Sequence, residues 1–139
     1  MRQLSNDKKR EQTFWDHFAL ECMSWLRELD FFLMEVSLMK TRLSHLVDAA
    51  TERSMINKAE EFVIRLMDYE ERIRQIYNEI KSHESKGGNG PVIKQSDANK
   101  YKIMEDHAHL RTAMADMSSI FLELRIRFNQ WMEDEMREI

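Results

Sequence analysis

Apolar residues recur along the first third of the chain in alternating steps of three and four: Trp15, Phe18, Cys22, Trp25, Leu29, Phe32, Val36, Met39, Leu43, Leu46 and Ala50. That spacing keeps side chains on one face of an α-helix and predicts helix 1 over about residues 8–50. Ala19, Leu26, Leu33 and Val47 broaden the seam to the width a bundle helix needs. The pattern restarts at Met55 and continues through Ala59, Phe62, Leu66, Tyr69, Ile73, Ile76 and Ile80, with Ile56, Val63 and Tyr77 beside it. It predicts helix 2 over about 52–84. A third run, Ile103, His107, Leu110, Met114, Met117, Phe121, Leu124, Phe128 and Trp131, predicts helix 3 over about 97–137.

All three glycines and the only proline fall in "GGNGP", at Gly87, Gly88, Gly90 and Pro91. Glycine tolerates positive φ and proline cannot continue a helix, so a loop is expected over about 85–95. Thr51, Ser54 or Asn57 can cap helix 2, Ser96 or Asp97 helix 3, and Ser5, Asn6 or Asp7 helix 1. The expected fold is all-α: one domain of three long antiparallel helices, up-down-up, with coiled-coil-like packing. On the outer faces, Glu61–Arg65, Asp68–Arg72 and Glu70–Arg74 stand at i,i+4, acid before base. Glu70 and Arg111 flank neighbouring seams at similar height and are expected to pair.

The stretch "LRELDFFLMEV" carries more apolar residues than one helix face can hold. Leu29, Phe32 and Val36 serve the seam, while Leu20, Met23, Phe31, Met34, Leu38 and His45 project on the opposite side. Helix 3 offers a second off-seam row, Ala108, Thr112, Ala115, Ser119, Leu122 and Ile126, small at one end and apolar at the other. A lone bundle needs one apolar face per helix, and long exposed apolar patches are rare on monomers. The second stripe is therefore expected to pair two copies into a homodimeric six-helix bundle, with Leu20, Met23, Phe31, Met34, Leu38, His45, Ala108, Ala115, Leu122 and Ile126 at the interface. A partner protein's amphipathic helix is the alternative occupant, because methionines such as Met23, Met34 and Met67 adapt to varied surfaces.

Composition narrows the function classes. The chain has 139 residues, 42% apolar and 33% charged, with net charge −4 and no basic stripe, which argues against nucleic acid as a partner. The polar start "MRQLSNDKKREQ" has no signal-peptide core and no apolar run reaches membrane-spanning length, so a cytoplasmic protein without membrane contact is expected. Cys22, the single cysteine, lies on the core seam and reads as a buried inert thiol. In "EDHAHLR", His107 and His109 point about 200° apart on a helix and cannot share an ion. Asp106 and His109 match the Asp/Glu-x-x-His spacing of di-iron bundles only once. His107 reads as a satisfied core residue, and His17, His45 and His83 as isolated from one another in register. "GGNGP" lacks the Lys-Ser/Thr of a phosphate loop. The tryptophans and phenylalanines read as core packing rather than a ligand cage. No catalytic residue, cofactor or metal is expected.

The run "ELDFFLMEVSLMKTRLSHLVDAAT" and the helix after it resemble short three-helix coiled-coil proteins of Bacteroidetes-type bacteria. The resemblance spans the first two helices, implies an intracellular coiled-coil protein, and carries over no catalytic residue. Together these readings point to a non-enzymatic structural or protein-interaction bundle. The alternatives are a small-ligand or metal-binding bundle, or a chaperone-like adaptor for a partner helix.

Overall fold

The computed structural model describes residues 2–87 and 97–138. Within them the chain forms three helices, α1 (Arg2–Ala49), α2 (Arg53–Gly87) and α3 (Asp97–Glu138), and no strand. The helices pack on one another as an antiparallel all-α bundle.

The 3–4 spacing is what they bury. Every seam residue named on α1 from Trp15 to Leu46 is buried. On α2 the same holds from Met55 to Ile80, except that Ile76 is only partly covered. On α3 it holds from Ile103 to Phe128, with Trp131 half-buried. Ala19, expected to widen the α1 seam, is exposed, whereas Leu26, two turns further along the same flank, is buried.

Helix ends differ from expectation for local reasons. α1 starts at Arg2, so Ser5, Asn6 and Asp7 are helical positions rather than its caps. Its C-terminus tightens through Ala50 N–H donating to Val47 O at 3.2 Å, an i→i−3 closure. The first bond of α2 runs from Ile56 N–H to Glu52 O at 3.2 Å, which puts Glu52 in the capping position. Thr51 falls one residue too early, and Ser54 and Asn57 lie inside the helix. α2 also continues to Gly87, three residues past its expected end. Ser96 and the remainder of the expected 85–95 loop lie outside the described residues.

Two compact units divide the bundle, each drawing on all three helices. The first takes α1 up to Glu28, α2 from Ile76 and α3 up to Met114; the second takes α1 from Leu29, α2 up to Gln75 and α3 from Ala115. The second unit has an aromatic core. Phe32 stacks on Phe121 at 4.5 Å, Tyr69 lies 6.2 Å from Phe121, and Phe62 meets Phe128 edge-on at 5.7 Å. Tyr69 is buried, and its hydroxyl donates to Met117 O at 2.8 Å, so its polar end is satisfied. At the border of this core Lys40 grips both oxygens of Glu70 at 3.0 and 3.1 Å, with Arg74 more distant at 4.0 Å. The expected Glu70–Arg111 pair does not form, because each residue finds its partner on α1 instead: Lys40 for Glu70 and Glu21 for Arg111.

Candidate functional site

The first unit fills the same kind of seam with different chemistry. Three helices each contribute one buried titratable residue: Cys22 from α1, His83 from α2 and His107 from α3. His83 arrives there because the 3–4 pattern of α2 runs one step beyond Ile80, and Gly87 occupies the step after that. Gly87 is still helical, the last residue of α2. It is buried against the Phe18 ring, and a Cβ there would overlap the ring, with Cε1 only 2.6 Å away. The missing side chain lets α2 lie close to α1.

The two imidazoles are stacked, with His83 Nε2 and His107 Nδ1 2.9 Å apart. His83, isolated in register from His17 and His45, meets His107 of α3: register along one helix says nothing of a neighbour delivered by another. On its other side His107 Nε2 lies 3.3 Å from Glu21 Oε1. Arg111 donates to both oxygens of that carboxylate, from Nη2 at 2.8 Å and from Nε at 3.1 Å. The order is therefore His83, His107, Glu21, Arg111, with the fully buried His107 between His83 and the exposed Arg111 end.

Proton positions follow from this geometry. A carboxylate only accepts, so His107 carries its proton on Nε2. A neutral His107 then offers a bare Nδ1, and His83 must donate to it from Nε2. Both rings are held neutral. Burial, reinforced by the adjacent His107 ring and by Lys86, brings His83 down to about 4, against an upward pull from Asp106. Burial also lowers His107, although its hydrogen bond to Glu21 opposes the shift. The Arg111 guanidinium holds the Glu21 carboxyl below its usual range.

Rings close the cluster from several sides. Trp25 lies 4.6 Å from His107, Phe18 4.8 Å from His107 and 4.9 Å from His83, and Phe14 5.4 Å from His107. Trp25 packs directly on His107, so these tryptophan and phenylalanine rings act as packing. Cys22 is fully buried as expected, and burial, with Glu84 and Glu21 adding to it, pushes its thiol up to about 12. Outside, a groove of about 410 Å³ between α2 and α3 reaches His83 past Lys86, Asp106 and His109. His109 itself is exposed and meets Glu105 at 3.7 Å, one turn away on the same helix.

The sequence-expected interface residues are elsewhere. Leu20 and Met23 in the first unit are exposed, as are Phe31, Met34, Leu38 and His45 in the second. On α3, Ala108 is exposed in the first unit, and Ala115, Leu122 and Ile126 are exposed in the second. Phe31 keeps an edge contact with Phe121 at 6.1 Å, so its ring leans towards α3. Ile64 on α2 is also exposed, at 67%. Among the described residues no helix is long and apolar enough to cross a membrane.

No protein-family model, curated protein or solved structure matches this chain. Its function must be argued from its own residues.

Proposed function

We propose that the chain is a non-enzymatic protein-interaction bundle that pairs with a second copy of itself. The observation that carries this reading is in the second unit. Phe31, Met34 and Leu38 are 42%, 56% and 51% exposed on successive turns of α1, a ridge without a cover in the single chain. Leu122 and Ile126 on α3 are exposed to a similar degree, and Phe31 leans towards that helix. Each buried large apolar side chain stabilises by about 1.5–3 kcal/mol, so covering five of them twice over rewards a two-fold pair. Exposed methionines and leucines occur singly on many monomers. The ridge differs because its members follow one another at helical spacing.

Gel filtration with light scattering at micromolar concentration tests the reading. The wild type is expected at twice the chain mass, and the Phe31→Glu/Leu38→Glu double variant as a helical monomer. A wild-type monomer overturns self-pairing, and a double variant that stays dimeric moves the interface off this ridge.

A further inference from the structure

We propose that Cys22, His83 and His107 form a binding site for a thiophilic transition-metal dication of the zinc type, with one ligand atom from each of the three helices. The inference goes beyond self-pairing and is independent of it, since every residue involved belongs to the first unit.

The donor set comes first. The sulfur and two ring nitrogens lie within 4.8 Å of one another and all three residues are buried. A tetrahedral zinc with Zn–N near 2.0–2.1 Å and Zn–S near 2.3 Å needs N···N of about 3.3 Å and S···N of about 3.6 Å. The facing nitrogens of His83 and His107 stand at 2.9 Å, so they open by about 0.4 Å to admit an ion. One thiolate and two imidazoles suit zinc, cobalt(II) or copper, whereas magnesium and calcium require oxygen ligands. Three protein ligands leave the fourth position to water.

The surroundings match what a metal-bound histidine requires. A ligating imidazole typically donates its other N–H to a carboxylate, which fixes its tautomer and its direction. His107 Nε2 already does so to Glu21, and Arg111 clamps Glu21 in turn. This arrangement leaves His107 Nδ1 as the ligand atom, and it points at His83. His83 becomes a ligand through Nε2 when its proton moves to Nδ1. The Cys22 thiol gives its proton to solvent as the sulfur–metal bond forms, so one proton leaves per dication bound and no electron is transferred. Glu21 and Glu84 raise the cost of a bare thiolate at Cys22, and Asp106 favours positive charge at His83. The same three carboxylates favour a dication. The groove past Asp106 and His109 supplies a route to His83.

The test uses the full chain, treated with chelator and kept reduced, and titrated with cobalt(II). One ion per chain is expected, with the visible bands of a tetrahedral site and a thiolate-to-cobalt charge-transfer band. Zinc should displace the cobalt completely and raise Tm. Cys22→Ala should lose the charge-transfer band, and Glu21→Ala should weaken binding by about 10–100-fold with helicity retained. His109→Ala, outside the cluster, should change neither. A wild-type protein that shows no thiolate band overturns the proposal without any variant having to fold. Equally, binding that persists in Cys22→Ala with an unchanged spectrum, or that is lost in His109→Ala, places the ion elsewhere and overturns it.

Discussion

The two units share one helical grammar and fill it with opposite chemistry. In the second, the seam holds Phe32, Leu66, Tyr69, Phe121 and Phe128, and the one polar end, the Tyr69 hydroxyl, is paired with backbone. In the first, the corresponding seam positions hold Cys22, His83 and His107, and a carboxylate and a guanidinium complete the chain of contacts. Hydrocarbon would fold either unit. Burying a polar network costs desolvation at every member and is repaid only if each is satisfied. The first unit therefore carries something that packing alone does not demand.

Substitutions can break that contrast. The largest effect is expected from Phe121→Ala, which removes the ring that Phe32 and Tyr69 stack on and should cost about 3–5 kcal/mol in chemical denaturation. A loss below 1 kcal/mol would mean the second unit is loosely packed.

Next comes acid, acting on the metal-free protein. Folded His83 takes up its proton only near pH 4, while the unfolded chain does so near 6.5. Between those values the unfolded state holds more protons, so stability is fully present above about 6.5 and falls as pH drops towards 4. The loss is on the order of 3 kcal/mol. Burial sets most of this shift, His107 on α3 and Lys86 on α2 add to it, and Asp106 on α3 opposes it. His83→Leu/His107→Leu should flatten that limb of the denaturation profile, and His107→Leu alone should leave His83 and Glu21 short of a partner and destabilise at neutral pH by about 1–3 kcal/mol. A double variant that keeps the wild-type acid limb would remove the histidines from the explanation.

An effect of the same size as that of the single histidine variant is expected from Gly87→Ala. The new methyl meets the buried Phe18 ring and should cost about 1–3 kcal/mol, even though alanine is the better helix former. A stabilised variant would show that α2 can back away from α1 at no cost.

What could be read from the chain alone sorts along the same division. The buried seams were legible nearly residue by residue, because a 3–4 repeat is a property of one helix and needs no neighbour. The buried cluster was not. Cys22, His83 and His107 lie on three different helices, and only the antiparallel alignment brings them level. A local signal for part of it existed: extending the α2 repeat from Ile80 by three and then four residues reaches His83 and Gly87. Treating every glycine of "GGNGP" as a breaker stopped the helix at 84 and hid Gly87, while the seam was followed only to Ile80 and so missed His83. The Glu70–Arg111 expectation failed similarly, since each flank faces α1 rather than the other. The outward apolar residues of α1 and α3 needed only helical periodicity, and they are exposed where it puts them.

The contrast rests most directly on the protonation state of the two rings, which long-range nitrogen–proton correlation NMR of the imidazoles reads without any substitution. At pH 6, in metal-free protein, His83 should be neutral with the proton on Nε2 and should remain so until the pH nears 4, and His107, also protonated on Nε2, should titrate below the ordinary histidine value. Imidazolium signals for His83 at pH 6, or titration of both rings at the value of an exposed histidine, would contradict a buried, hydrogen-bonded pair.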